Sequence, residues 1–206
     1  MTGSMKRWLG AAAAVAMLFT ISACSVHVDK DDNGHEKRVD ITTPMGDLKV
    51  RNDGVVAKDT GLPVYPGAQE KPKEEHNDGK ANVAIDTPFF GLKVVALTYT
   101  SADSQDKVLS WYRGQMKSMP NVVECKGGGH VRSKNNSKDD LNRPVSCDNE
   151  VGTYDDQGIT NDSKSVQLKS GTNGNQHIVA VKPSEKGSEF SLVFVRVHVA
   201  GKEDSI

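Results

Sequence analysis

The chain has 206 residues, with 26 lysines and arginines against 27 aspartates and glutamates and a formal net charge of −1. This balance argues against a nucleic-acid partner, which would require a strongly basic surface. No apolar run in the chain is long enough to cross a membrane as a mature helix, which requires about 20 residues.

A short apolar run near the amino terminus has the form of a signal peptide. Lys6 and Arg7 provide a positive start, and the run extends from Leu9 to Ile21. That length fits the core of a signal sequence and is too short for a membrane-spanning helix. We therefore predict that residues 1–23 are removed, which leaves 24 basic and 27 acidic residues because Lys6 and Arg7 go with the signal.

The run ends in Ile21-Ser22-Ala23-Cys24, which resembles the lipobox of bacterial lipoproteins. The resemblance implies lipid attachment to the thiol of Cys24 and cleavage after Ala23, so that the lipidated cysteine holds the protein at a membrane. The expected location is the bacterial cell envelope. In a Gram-negative host, Ser25 would direct the protein to the outer membrane, facing the periplasm. The alternative is an ordinary secretory signal, with Cys24 a free thiol.

Two further cysteines, Cys125 and Cys147, form an isolated pair. In an oxidising envelope compartment such a pair predicts a disulfide, which would stabilise the fold by about 3 kcal/mol. The alternative is a metal site that includes His130, but four ligands cannot be assembled locally. We therefore predict a disulfide, no metal site and no cofactor.

Residues 24–60 alternate between apolar and polar side chains, which is typical of strands. Val26 and Val28 are expected to pair with Val39 and Ile41 through an Asp-Asn-Gly turn. Residues 39–53 resemble the stacked hairpins of adhesin-like sheets in bacterial envelope proteins. We expect a β-rich tether or a small sheet extension over residues 24–60, followed by a domain over 61–200 and a tail over 201–206.

One helix is predicted at about 104–119, because the apolar residues there follow helical spacing. Ser101 or Asp103 would cap its start and Pro120 would end it. Trp111 is expected to anchor the helix on the sheet, with stacking on a ligand as the alternative. Strand patterns surround the helix, at Asn121 to Cys125, Val145 to Cys147 and in three runs after residue 164.

The stretch "LPVYPGAQ … YTSADSQDKVLSWYRGQM", residues 62–116, resembles uncharacterised secreted or lipid-anchored bacterial proteins with a Tyr-Pro-Gly-Ala entry. The resemblance implies a fold and no activity. Together with the strand patterns, it predicts an α+β fold with a mostly antiparallel sheet and the helix packed on one face.

Several stretches suggest chemistry but also have simpler interpretations. Residues 29–40 nearly match a calcium-binding loop, but Asp40 stands where a glutamate is required and the flanking segments read as strands. The loop over 126–144 is basic and could meet acidic glycans or lipid head groups, or it could simply be solvated. The histidines form no ligand motif, and no catalytic residue can be assigned.

These observations lean away from an enzyme and favour a lipid-anchored, non-catalytic binding or accessory module of the envelope. Its partner would be an envelope protein or a glycan. One alternative is an envelope enzyme that acts on peptidoglycan or polysaccharide, which an acidic cleft would favour. Another is a structural adhesin-like sheet protein, which would require residues 25–60 to join a continuous sheet. A flat sheet face or an exposed apolar patch would favour the binding module.

Overall fold

Alternating apolar and polar residues build a large antiparallel sheet. The computed structural model describes residues 24–30, 36–51, 54–72, 79–127, 138–147, 153–155, 158–160 and 164–200. The strands in this part of the chain are β1 (Ser25–Lys30), β2 (Glu36–Thr43), β3 (Gly46–Arg51), β4 (Gln69–Glu70), β5 (Lys80–Asp86), β6 (Phe90–Ser101), β7 (Val123–Lys126), β8 (Thr153–Asp155), β9 (Gly158–Thr160), β10 (Val166–Thr172), β11 (Asn175–Ser184) and β12 (Gly187–Val199).

The main sheet has ten strands, nine of them in the order β1-β2-β3-β5-β6-β12-β11-β10-β7, with β4 paired to β6 beside β5. The paired strands are antiparallel. The longest pairing joins β6 to β12 and brings together residues about 100 positions apart in the chain. Strands β8 and β9 form a separate hairpin.

The first three strands belong to the same sheet as the rest. In β1 and β2, Val26 lies opposite Ile41 and Val28 opposite Val39, which confirms the predicted hairpin register. Strand β3 then pairs with β5 from Asp47↔Asp86 to Arg51↔Asn82. Strands β1, β2 and β3 therefore form one continuous sheet with the later strands.

The main helix, α1 (Gln105–Met116), packs on one face of the sheet, against β10, β11 and β12. It buries Val108, Leu109, Tyr112 and Met116. These side chains share a core with residues of neighbouring strands and of the segment that precedes β4. The strand members of this core include Val95, Leu97, Tyr99, Leu168, Val179, Val181, Phe190 and Leu192. A short 3₁₀ helix (Ala57–Thr60) and a four-residue helix, α2 (Lys138–Leu141), complete the regular elements of the described residues.

The structure corrects the predicted ends of α1. Its N-cap residue is Ser104, not Ser101 or Asp103, and the Ser101 hydroxyl instead accepts a hydrogen bond from the Asp103 amide at 3.1 Å. The helix ends at Met116 rather than Met119, because the Met119 amide donates to the Met116 carbonyl at 2.9 Å and tightens the chain into a turn. Pro120 follows and cannot donate an amide hydrogen bond.

The predicted strand from Val145 to Cys147 is wrong. The segment makes a single bridge, Pro144 to Thr172, and the Val145 amide donates to the Gly171 carbonyl at 3.2 Å. The ladder does not continue to Cys147 because β7 already occupies this edge of β10, where it pairs with Val166 to Lys169. The predicted helix-on-sheet arrangement is confirmed: the fold is a sheet-dominated antiparallel α+β domain with one main helix.

Candidate binding surface

Two rows of aliphatic side chains cross the sheet on the face opposite α1. Val95, Leu97 and Tyr99 of β6 point to the helix and belong to the core, so Leu92 and Val94 point to the other face. Cross-strand partners share a face of a sheet. The strand registers therefore place two six-residue rows on that face: Val26, Ile41, Leu48, Ile85, Leu92 and Val197, and Val28, Val39, Val50, Val83, Val94 and Val195. We call these twelve residues the aliphatic face.

The aliphatic face is partly accessible, and its accessibility increases toward the sheet edge. Val195, in the centre of the sheet, is 6% exposed, whereas Val28 and Val26 at the β1 edge are 40% and 63% exposed. The members on β2, β3, β5 and β6 are intermediate. Contiguous apolar area of this kind is typical of surfaces that contact another apolar surface.

On the first three strands, the side opposite the aliphatic face is charged. Arg38 lies near Asp29 and Asp40 at 3.9 and 3.5 Å, His27 near Asp29 at 3.1 Å, and Lys49 near Asp47 at 3.8 Å. Each pair is at least partly exposed to solvent, so each contributes little to stability. The first three strands are therefore amphipathic, with a charged face and an aliphatic face.

Cys24, the predicted lipidation site, is exposed and immediately precedes β1. Its thiol therefore lies where the edge strand β1 begins, close to Val26, the most exposed member of the aliphatic face. Among the described residues, no helix is both long and apolar enough to cross a membrane.

The predicted disulfide is confirmed. Cys125 in β7 and Cys147 are joined with an S–S distance of 2.08 Å and a Cα–Cα distance of 5.4 Å. The bond ties the edge strand β7 to the segment that follows α2. Residues 128–137 of the predicted basic loop lie outside the described residues.

A cleft of about 730 Å³ lies beside the β11–β12 turn, lined by Gly67, Gln69, Pro72, Thr100, Ser101, Ala102, Ser184, Glu185 and Lys186. Among these described lining residues, Glu185 is the one carboxylate. Glycoside hydrolysis commonly uses a pair of carboxylates on either side of the scissile bond. The described lining residues do not include such a pair, and residues 73–78, which follow Pro72, lie outside the described residues.

A titratable cluster at the start of α1 has a structural role. The Tyr65 hydroxyl donates to Asp103 Oδ2 at 2.7 Å, and Lys107 Nζ donates to Asp103 Oδ1 at 2.7 Å. The hydrogen bond to Asp103 raises the pKa of Tyr65, so the phenol stays protonated. Trp111 packs edge-on against the Tyr65 ring at 5.4 Å, which supports an anchoring role in the core rather than ligand stacking.

Metal chemistry finds no support in the part of the chain that the structure describes. Those residues contain no group of three or more potential metal ligands. His177 contacts the Thr60 carbonyl through Nδ1 at 2.7 Å, and its ring packs against Phe194. The ring of His198 lies directly over Gly91 on the neighbouring strand. Residues 31–35 of the near-match calcium loop lie outside the described residues, as does His130.

The pattern that sequence reasoning missed is an internal repeat. Residues 39–50, "VDITTPMGDLKV", align without gaps to residues 83–94, "VAIDTPFFGLKV", with seven of twelve positions identical. The two copies are the β2–β3 and β5–β6 hairpins, and they lie side by side because β3 pairs with β5. Each copy supplies the same four aliphatic residues at equivalent positions, so the repeat provides eight of the twelve members of the aliphatic face.

The fold and this surface define a class: an antiparallel α+β domain whose sheet continues into amphipathic amino-terminal hairpins. Comparison with family models, with curated proteins and with solved structures finds no match to the chain.

Proposed function

We propose that this protein is a lipid-anchored lipoprotein of the bacterial cell envelope that binds an envelope partner and catalyses no reaction. The lipobox at residues 21–24 supports anchoring through Cys24. The aliphatic face supports binding, and it is the observation that carries the proposal. Because this face presents no charged or aromatic side chain, a protein partner with its own apolar patch fits better than a glycan.

The anchor and the binding surface act together in this proposal. Cys24 holds the domain at the membrane, and the β1 edge lies directly after it. The partner would therefore be recruited close to the bilayer. The cleft beside the β11–β12 turn, which has a single described carboxylate, leaves the enzyme alternative without an observation in its favour.

Site-specific photo-crosslinking in cells tests the binding surface. A photoreactive residue at Val28 faces the proposed partner, whereas one at the neighbouring His27 points to the charged face of the same strand. Both side chains are exposed, so both replacements should fold. We expect a reproducible crosslinked protein from position 28 and little from position 27. Equal capture from both positions, or none from position 28, would contradict the proposed surface.

Mass spectrometry of the mature amino terminus tests the anchor. We expect a diacylglyceryl-modified Cys24 in the wild type and its loss in Cys24→Ala exported from a cleavable signal. If the partner is recruited at the membrane, crosslinking from position 28 should fall in the Cys24→Ala background. An unmodified thiol at Cys24 would instead favour the ordinary secretory signal.

The continuous sheet favours a second candidate, a structural sheet protein that self-associates. Strand β1 is an edge strand, and its outer side has no paired strand among the described residues. Exposed edges of this kind can pair with another chain. Sedimentation of the purified non-lipidated protein separates the two candidates, since a monomer favours the binding module and a concentration-dependent polymer favours the structural role.

A further inference from the structure

The two repeated hairpins end in turns that are built in the same way and fixed by a threonine hydroxyl. In the first, the Thr43 hydroxyl donates to the Gly46 carbonyl at 2.9 Å and accepts from the Met45 amide at 3.2 Å. In the second, the Thr87 hydroxyl donates to the Phe90 carbonyl at 2.8 Å and accepts from the Phe90 amide at 2.9 Å. Each threonine is followed by a proline, which restricts the backbone further. Both turns are therefore locally fixed.

Each fixed turn presents one large apolar side chain to solvent. Met45 is 72% exposed and Phe89 is 71% exposed, more than any other large apolar side chain in the described residues. Neither turn contains a charged residue between its threonine and the residue that begins the next strand. A rigid turn that exposes a methionine or a phenylalanine in water gains nothing for folding, so this arrangement points to a contact outside the chain.

The two turns share one end of the sheet with Cys24. Ser25 pairs with Thr42, one residue before the first turn, so Cys24 lies at the level of Thr43. Gly46 of the first turn lies against Thr87 of the second, which places the turns side by side.

Basic side chains lie just behind the second turn. Lys93, Arg196 and His198 line a recess of about 300 Å³, and the register places His198 opposite Gly91, two residues from Phe89. Asp86 also lines the recess, and Asp47 near the first turn lies 3.8 Å from Lys49. Apolar side chains at the turns, with the cations Lys93 and Arg196 behind them, match the layering of a membrane surface that contains anionic lipid.

We infer that this end of the sheet docks on the membrane, with Met45 and Phe89 inserted at the lipid interface beside the anchored cysteine. The two side chains form a second contact that fixes the orientation of the domain, which a flexible lipid link alone does not do. In this orientation the aliphatic face extends away from the bilayer and stays available to a partner. The inference rests on the proposed lipid anchor, which places the membrane at this end.

Depth-dependent fluorescence quenching tests this orientation in the lipidated full-length protein. Phe89→Trp and, separately, Met45→Trp are reconstituted in vesicles of phosphatidylethanolamine and phosphatidylglycerol that contain brominated phospholipid. The matched control is Glu185→Trp in the exposed β11–β12 turn at the opposite end of the sheet, roughly 36 Å away for eleven residues of extended strand. Trp111 is the tryptophan that remains after removal of the signal peptide. Its fluorescence is measured in the parent protein, without the introduced tryptophans, and subtracted.

We expect quenching at positions 45 and 89 and none at 185. Equal quenching at all three positions, or none at 45 and 89, would overturn the inference. A second measurement uses the non-lipidated Cys24→Ser protein with the same vesicles. Replacing Met45 and Phe89 by serine should weaken sedimentation with vesicles about tenfold for each residue, because each loses most of a buried apolar side chain. Unchanged binding by the double variant, with an unaltered circular dichroism spectrum, would also overturn it.

Two outcomes separate this inference from the proposed function. If mass spectrometry shows a lipidated Cys24 but the tryptophans at positions 45 and 89 are not quenched, the docking inference fails and the anchor stands. If Cys24 carries no lipid but the Cys24→Ser protein still binds vesicles through Met45 and Phe89, the docking inference stands and the lipid anchor fails. Self-association that is lost in the double serine variant would show that Met45 and Phe89 contact a second copy of the chain, and it would overturn docking on lipid.

Discussion

Gly46 lies directly against Thr87, where the turns of the two repeated hairpins meet at the end of the sheet. A Cβ atom at Gly46 would lie 2.5 Å from the Asp86 carbonyl oxygen and 2.6 Å from Thr87 Cγ2. Gly46 also has a φ of +143°, which side-chain-bearing residues rarely adopt. Both the backbone conformation and the available space therefore require glycine here.

We expect Gly46→Ala to destabilise the protein by about 2 kcal/mol or more, because the new methyl group meets fixed backbone atoms. Gly114→Ala is the matched control. Gly114 is exposed inside α1, and a methyl group added there would meet no atom of another element within 4 Å, so alanine should stabilise by about 0.5–1 kcal/mol. Urea denaturation of both variants measures the two effects, and equal effects would contradict the proposed contact.

The core and the aliphatic face should respond differently to the same substitution. Leu192 is fully buried in the core under α1, whereas Leu48 is a partly exposed member of the aliphatic face. We expect Leu192→Ala to cost about 2–5 kcal/mol and Leu48→Ala about 1 kcal/mol, because a leucine that is already in contact with water loses less burial. Chemical denaturation gives both values. A similar cost at the two positions would mean that Leu48 is as well covered as Leu192.

Reduction of the disulfide should destabilise the isolated protein. The bond joins two cysteines that are 22 positions apart in the chain and links β7 to the segment after α2. We expect dithiothreitol to lower the free energy of unfolding by about 3 kcal/mol. A variant with Cys125 and Cys147 both replaced by alanine should have the stability of the reduced protein and show no response to dithiothreitol. An oxidised protein no more stable than this variant would contradict the prediction.

Glu189 should contribute a pH-dependent part of the stability. Burial alone would raise the pKa of its carboxyl, but Lys182 at 3.0 Å and Lys71 at 3.3 Å outweigh that effect and lower it. Because the pKa of Glu189 is lower in the folded state than in the unfolded state, its ionised carboxylate stabilises the fold. This stabilisation is fully present above the pKa of the unfolded state, about 4.5, and is lost as the pH falls through the pKa of the folded state.

The variant Glu189→Gln isolates this contribution, because glutamine keeps the shape and removes the charge. We expect the melting temperature of the wild type to exceed that of the variant at pH 7, and the difference to shrink steadily below about pH 4.5. Thermal unfolding followed by circular dichroism, from neutral to acidic pH, provides the measurement. A difference that stays constant over this range would show that the ion pairs carry no net stabilisation.

The surface properties were only partly readable from the sequence. Cys24 could be singled out because its motif is local, and the disulfide because two cysteines remain once Cys24 is assigned. The aliphatic face was not predicted, because each strand contributes just two of its members and alternation alone does not say which strands are neighbours. The repeat of residues 39–50 at 83–94 was visible in the sequence and would have indicated two equivalent hairpins.

The sequence by itself determined the local features of this protein: the strand periodicities, the β1–β2 register around Val26 and Val28, and the main helix before Pro120. Only the tertiary structure decided which strands pair over long distances, as β3 does with β5 and β6 with β12. The physical reason is that alternation sets which face of a strand is buried, whereas its neighbour is chosen by packing across the whole sheet. That choice places the turns that carry Met45 and Phe89 side by side, at the same end of the sheet as Cys24.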